Sequence, residues 1–455
     1  MKILLWHGYL LRGSGSNIYC ANTAAAWRAE GHDVLILCQE TRLEGLGFVD
    51  EGGGFEPGNS SFTVRPTNVP RAPGRVRVVN PAIGEILPVY VYDEYEGFTA
   101  KLFVDLSDEE LGSYTDRNVA AMVTAIRDFE PDVIITGHEV MGPYIAKRAC
   151  ERTGTTFIAK LHGSALEYAV KLEERYVRYA QEGLSAARRV IGGSHYMVEE
   201  ASRVVPGWRQ NAVVINPGCD IDLFRPVERA AGDPPTVAFV GKLIVSKGVH
   251  HLLAALGLTD TPELRAVVVG YGGFEVQLHA LWHTLSSGEH EDALALARRG
   301  DGRPLEELEA FLSASGDAAF YRRVSEIPVE FPGRLDHGPL AQVLPTFDVL
   351  VVPSVMPESF GMVAAEAAAS GVIPIVPGHS GIGEIGAAVE SALGRPGFVT
   401  FDPKRPIETM AEAIDRVFAL SPEERSAAKE AVVDLARSRW SWQRVGASLL
   451  AAAGR

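Results

Sequence analysis

Residues Pro353–Gly371 read PSVMPESFGMVAAEAAASG, and the order of signals in that stretch decides the fold. An apolar strand, Val349–Pro353, ends at the proline. A loop follows with Glu358, then an alanine-rich helix over Met362–Ser370 with Glu366 on it. The run Val372–Val376 (VIPIV) returns as the next strand. Strand, loop, helix, strand is the unit of a parallel sheet covered by helices. Burying a lone carboxylate amid Ala364–Ala369 costs several kcal/mol, so Glu366 is expected to have a partner. A ribose diol is one, since an ionised carboxylate accepts bonds from two adjacent hydroxyls. Glu358 sits at the loop mouth, where it can meet a sugar. The backbone N–H groups of Phe360–Met362 open the helix and favour a phosphate oxygen. The alternative makes both glutamates structural caps or surface pairs.

Upstream, the same alternation repeats. Thr236–Val240 reads as a strand within VAFVGKLIVSKG (237–248), which delivers Lys242 and Lys247 to its carboxyl end, with Ser246 as an N-cap for the helix Gly248–Leu256. Two cations there can neutralise a diphosphate as its charge rises. The segment is not a Walker A loop, because the required glycine and Lys-Ser/Thr spacing is absent. Leu264–Val269 is a further strand, ending at Gly270, which can lie beneath a nucleotide. Residues 284–326 are polar and largely helical, and read as an insertion.

The first half carries its own alternation. Lys2–Trp6 is a buried strand, Gly13–Asn17 (GSGSN) a loop, Ile18–Glu30 a helix capped by Gly31, and Asp33–Cys38 the second strand. Residues 41–112, rich in Gly, Pro and aromatics, read as an elaboration with a hairpin and long loops. Regular elements resume with helix Asn118–Phe129, strand Asp132–Thr136, helix Pro143–Thr153, strand Phe157–Leu161, helix Leu166–Glu182 and strand Arg189–Gly192. The proline-bearing stretch Arg225–Pro235 is a linker. The expected organisation is therefore α/β, with two doubly wound Rossmann-like domains facing across a cleft. They cover 1–224 and 225–438, and the helix in 439–455 returns to the first. Open sheets of this kind bind ligands outside the carboxyl ends of their strands.

Composition narrows the function. The 455 residues carry a formal charge of −15, which disfavours nucleic acid and anionic bilayers as partners. Cys20, Cys38, Cys150 and Cys219 are widely spaced, suiting neither a zinc site nor a disulfide framework, and a reducing, cytoplasmic setting is expected. The apolar start MKILLWHGYLL lacks a cleavage site and reads as a strand, and no run of 18 apolar residues predicts a membrane span. No metal-ligand cluster is visible, so a metal-independent reaction needing no cofactor is expected. Oligomeric state is left open.

Two further segments are candidates. Gly13-Ser14-Gly15-Ser16-Asn17 is a glycine loop that does not match the dinucleotide fingerprint, since Ile18 stands where the third glycine belongs. His162, in KLHGSALEY (160–168), follows a strand and precedes a turn at Gly163; by itself it reads as a structural hydrogen-bonder. Ser194 reads equally as a cleft residue or a helix cap. Tyr90–Glu96 can line a pocket with rings and carboxylates, or form a solvated strand edge.

ESFGMVAAE, with seven residues between its glutamates, resembles the signature of glycosyltransferase family 4, whose members are retaining GT-B enzymes. The resemblance extends over most of the chain, outside 41–112 and 284–326. It implies a donor sugar at Glu358, ribose at Glu366, and diphosphate at Lys242 and Lys247. The family usually has arginine at the first cation position, and a lysine lacks arginine's planar fork. The resemblance also implies that the Gly13–Asn17 loop lines the cleft, with Gly15 near the leaving phosphate and the acceptor beside it. It has His162 touch the donor sugar or assist at the reacting centre. It puts Leu335, in FPGRLDH (331–337), at the nucleotide base through main-chain groups, and Ser359, Phe360, Gly361 and Met362 at the donor. The turn GHSGIGEI (378–385), ending near Glu384, lies near the donor by the same likeness. The implied function is retaining transfer of a sugar from a nucleotide-diphosphate co-substrate, with UDP-sugars ahead of GDP-mannose, to a hydroxyl of a small soluble acceptor. A GT-B phosphorylase, a nucleotide-sugar epimerase and a non-catalytic nucleotide-sugar-binding module are the alternatives.

Overall fold

The computed structural model describes residues 1–91, 97–228 and 232–454. Within the stretches read above, Tyr92–Glu96 and 229–231 of the expected linker lie outside these residues. The chain divides into two compact units, Met1–Pro217 with Trp442–Arg455, and Gly218–Ser441. The division falls after Pro217, and Cys219 is already tied into the second unit: its N–H donates to Trp440 O at 2.7 Å.

The first unit holds a nine-stranded sheet in the order Ala212–Val214, Arg189–Gly192, Ile158–Lys160, Val133–Gly137, Lys2–Trp6, Asp33–Leu37, Arg75–Asn80, Glu51–Phe55, Phe62–Pro66. All neighbours are parallel except the last pair. The inner strands are continuous apolar runs, as expected of a sheet buried on both faces. Lys2–Trp6 pairs in register with Asp33–Leu37 and, on its other side, with Val133–Gly137. Region 41–112 thus contributes a hairpin and also an internal strand, Arg75–Asn80, seated beside Asp33–Leu37. A small parallel pair, Ile86–Val89 with Thr99–Leu102, lies apart.

The helix Gly15–Ala29 starts inside the expected loop: Ser14 is its N-cap, with its hydroxyl accepting from Asn17 N–H. The expected helix Leu166–Glu182 is broken. Leu166–Val170 is a π turn, and the regular helix runs over Glu174–Ala186. The last helix, Trp442–Gly454, packs on Gly15–Ala29. Trp27 Nε1 donates to Gly446 O at 3.1 Å, and Trp442 meets Tyr19 edge-on at 5.5 Å. Gly446 has no side chain to hold the helices apart; a Cβ there would lie 3.0 Å from the Trp27 indole nitrogen.

The second unit holds a six-stranded parallel sheet ordered Val329–Gly333, Arg265–Tyr271, Thr236–Lys242, Val349–Val351, Ile373–Pro377, Thr400–Phe401. The stretch 284–326 forms helices His290–Arg299, Glu306–Ser315 and Ala318–Ser325 after the end of Glu275–Ser287. Their Leu308, Phe311, Leu312 and Phe320 join the core around Val249–Leu256. Both units are thus doubly wound α/β layers.

Candidate active site

In the second unit the site grows from the carboxyl ends of Thr236–Lys242 and Val349–Val351. Lys242 ends its strand exposed, with no ion-pair partner among the described residues. After it, Val245–Lys247 forms a 3-10 turn and Gly248 starts the helix Val249–Leu256 at φ 69°. Ser246 is therefore no N-cap. It sits inside the turn, and its carbonyl accepts from Val355 N–H at 2.9 Å. Gly248 is required there, since a Cβ would fall 1.9 Å from Pro353 O. That close approach brings Lys247 to the Glu358 loop.

Lys247 Nζ donates to Glu358 Oε1 at 2.7 Å, and the Ser354 hydroxyl donates to the same oxygen. Glu358 N–H donates to Ser380 Oγ at 3.0 Å. His379 lies within bonding distance of Ser380 Oγ through Nδ1 (3.0 Å) and of Ser354 O through Nε2 (3.2 Å). A carbonyl only accepts, so the proton sits on Nε2 and the Ser380 hydroxyl donates to Nδ1. Loop Ser354–Glu358 and turn His379–Ser380 are thereby fastened into one ring of bonds around Glu358. Two helices begin beside this ring, Met362–Ala369 and Ser380–Leu393, and neither has a side-chain cap. Apart from Gly381 N–H, which donates to Glu358 O, their first-turn N–H groups favour an anion there.

Glu366 is 7% exposed on Met362–Ala369. Its partner is His337, with Nε2 3.8 Å from Oε1. This nearby carboxylate, ahead of burial, holds the His337 pKa above the ordinary histidine value. The neighbouring residues have mixed duties. Phe360 is buried and meets Trp440 edge-on at 6.1 Å, which anchors the loop in the core. Gly361, at φ 101°, leaves room for Ile382, whose Cδ1 would be 2.1 Å from a Cβ. Met362 is half-buried against the core, and Gly381 N–H, next to Ser359, donates to Glu358 O at 2.8 Å. Gly270 is explained by packing: a Cβ would meet Gly241 O of the adjacent strand at 1.9 Å. Leu335 is half-buried, after Arg334, whose guanidinium lies 5.0 Å from the centroid of the exposed Tyr271 ring.

The first unit has a second cluster, again at strand ends. Histidines follow three adjacent strands, as His7, His138 and His162. The ring centroids of His138 and His162 are 4.8 Å apart, and those of His7 and His138 are 5.7 Å apart. Tyr19 packs edge-on against His162 at 5.3 Å. Burial pushes His7 down to about 4; it holds His138 and His162 well below the usual histidine range, with the neighbouring histidines adding to the effect. Lys160, 3% exposed, lies 5.1 Å from the centroid of the Tyr19 ring, and burial lowers its pKa to about 7. Glu139 is fully buried, accepts from Gly163 N–H at 2.9 Å, and is raised by burial to about 7. Among the described residues, His7 Nδ1, both nitrogens of His138, Glu139 Oε2, Thr136 Oγ1 and Tyr19 Oη have no hydrogen-bond partner. Such a concentration of unsatisfied buried polar atoms marks a place for polar ligand or water.

Sequence reading picked out His162 here but missed His7, His138, Glu139 and Lys160. The usable signal was repetition, a histidine at the carboxyl end of three neighbouring strands. The Gly13–Asn17 candidates divide. Gly13, Ser14, Gly15 and Ser16 form the loop and first turn of the helix. Asn17 is buried, its carbonyl oxygen bonded to His7 Nε2 at 2.8 Å and its amide donating to Arg12 O. Ser194 is a helix cap, accepting from Met197 N–H at 3.1 Å.

Residues 14–218 match the model of a glycosyl transferase 4-like domain, and residues 322–449 match that of a family 4 glycosyltransferase in conflict systems. Similar relatives include D-inositol 3-phosphate glycosyltransferases. That of Mycobacterium leprae is 28% identical over 52% of this chain and 47% of its own length. That of Geodermatophilus obscurus is 26% identical over 77% and 80%. The chain spans about half the length of the mycobacterial relatives it matches. Among solved structures, sucrose-phosphate synthase of Thermosynechococcus elongatus is similar at TM-score 0.60 and 19% identity, over 99% of this chain and 97% of that one. Anabaena HepE in complex with UDP is similar at 0.60 and 17%, over 99% of both. The fold is shared with solved GT-B glycosyltransferases. Residues 14–218 and 322–449 thus each resemble glycosyltransferase family 4.

Proposed function

We propose that the chain transfers a sugar from a nucleotide diphosphate, a UDP-sugar first and GDP-mannose second, to a hydroxyl of a small soluble acceptor, with retained anomeric configuration. The carrying observation is the Lys247–Glu358 pair at 2.7 Å, set between two uncapped helix N-termini. A cation, open N–H groups and a carboxylate in one loop suit a diphosphate bearing a sugar. Lys247 and Lys242 hold the diphosphate, Glu358 accepts from sugar hydroxyls, and Glu366 with His337 takes the ribose. The acceptor's O–H attacks the anomeric carbon on the face the diphosphate leaves. The carbon–oxygen bond to the diphosphate breaks, and the acceptor's proton passes to the departing oxygen. His162, held neutral near pH 7, serves the reacting centre as a hydrogen-bonding group without adding positive charge. A nucleotide-complexed neighbour, HepE with UDP, lends support for the first donor.

The test is nucleotide release from UDP-, GDP- and ADP-sugars, with and without a pool of small hydroxylated acceptors, in EDTA and in magnesium. Acceptor-dependent release from one donor, unaffected by EDTA, is expected. Donor binding without release from any would refute transfer. Activity lost in EDTA and restored by magnesium would refute metal independence.

A further inference from the structure

Within the first unit, and apart from the histidine cluster, a cavity of about 660 Å³ opens at the carboxyl ends of Asp33–Leu37, Arg75–Asn80 and Glu51–Phe55. These three strands are parallel neighbours, and that end of such a sheet is where α/β folds take ligands. The volume falls in the ordinary range of small-molecule sites. Phe55, Ile83 and Phe98 supply apolar walls, and Gln39 and Arg117 are the polar lining groups.

The cavity is built and held open. Asn59, buried at φ 58°, donates to Ala82 O (3.3 Å) and to Arg117 O (3.1 Å), and accepts from Ala82 N–H at 2.8 Å. One side chain thus fastens the hairpin turn, the segment after Arg75–Asn80, and the helix Asp108–Phe129. Gln39 Nε2 donates to Pro81 O at 3.1 Å and fixes the inner wall. Gly84, at φ 96°, lets the Arg117 side chain pass; a Cβ would lie 3.2 Å from Nη1. Among the described residues, the Arg117 guanidinium has no carboxylate partner and no carboxylate lines the cavity.

We infer that this cavity is a binding site for a small amphiphilic anion, a carboxylate, sulfonate or phosphate on an apolar or aromatic body. The body fills the space among Phe55, Ile83 and Phe98, and the anion meets Arg117. A guanidinium unspent on protein carboxylates gives an anion a charge-assisted, bidentate contact. The site stands whether or not the chain transfers sugar.

The test uses two fluorescent probes on the full chain. These are 1-anilinonaphthalene-8-sulfonate, which is anionic, and N-phenyl-1-naphthylamine, its neutral counterpart. Saturable binding of both to the native protein is expected. Arg117→Glu weakens the sulfonate at least about tenfold while leaving the neutral probe within about twofold, since only the charged contact is lost. Ile83→Trp, which fills the cavity, weakens both. Far-ultraviolet dichroism and thermal melting establish that each variant is folded. Absence of saturable sulfonate binding, or affinity unchanged in either variant, overturns the assignment. Equal loss of both probes in Arg117→Glu overturns the anion contact.

Discussion

At the residue scale, the two lysines of the second unit differ in how well they are prepared. Lys247 is held at 2.7 Å from Glu358, whereas Lys242 is exposed and has no ion-pair partner among the described residues. Preorganised contacts contribute most to a transition state, because no reorganisation is left to be made when charge develops. Lys247→Ala is therefore expected to lower kcat by about 10²–10³-fold. Lys242→Ala is expected to cost less and to act mainly on donor KM. Steady-state kinetics on the two variants would check this, and equal kcat losses would reject the distinction. Glu366 illustrates how much was legible at this scale. A carboxylate among alanines announces that it has a partner, but the partner, His337, lies 29 positions away in sequence at the start of another helix. Such pairings depend on where loops come to rest, and local pattern carries no information on that.

At the scale of elements, one buried ion pair joins the first helix to the sheet. Arg28, on Gly15–Ala29, donates through Nε and Nη2 to Asp50 at 2.8 and 2.6 Å, and Asp50 also accepts from Val76 N–H at 2.8 Å. Both residues are at most 8% exposed. Removing one partner leaves a buried charge uncompensated, so Asp50→Ala is expected to destabilise the first unit by about 3–5 kcal/mol. Urea unfolding would measure it, and a loss below about 1 kcal/mol would show that water reaches Arg28. The same region shows why some elements escape a sequence reading. EGGGF (51–55) has the wrong composition for a strand, yet it is one. A Cβ at Gly53 would fall 1.8 Å from Thr63 O, so the tight hairpin demands glycine where propensity forbids it. RVRVVN (75–80) has strand character, but only the fold shows that it enters the main sheet. The apolar runs Leu4–Trp6, Val34–Leu37 and Val349–Val351 needed no such context.

At the scale of the molecule, each unit keeps neutral histidines in its interior, and this sets its response to acid. In the first unit burial lowers His7 to about 4; in the second it lowers His251 to about 4, beside His250, which is pushed well below the usual range. Unfolded histidine titrates near 6.5. Between about pH 6.5 and 4 the unfolded chain binds these protons and the folded chain does not, so stability falls as the pH drops through that window. Above pH 6.5 the contribution is fully present. A shift of one unit corresponds to 1.36 kcal/mol, so each of the two histidines costs about 3 kcal/mol by pH 4. The neighbours act in different directions. Glu307 opposes the effect at His251, and His250 has His251 as its charged-state neighbour. Urea midpoints measured from pH 7.5 down to 4.5 are expected to fall steadily below about 6.5. His251→Gln should flatten that dependence in the second unit and leave the first unit's unchanged. The two responses can be followed by hydrogen exchange of the strands Thr236–Lys242 and Lys2–Trp6. Midpoints that stay level to pH 5 would mean that the histidines find protons or water while folded.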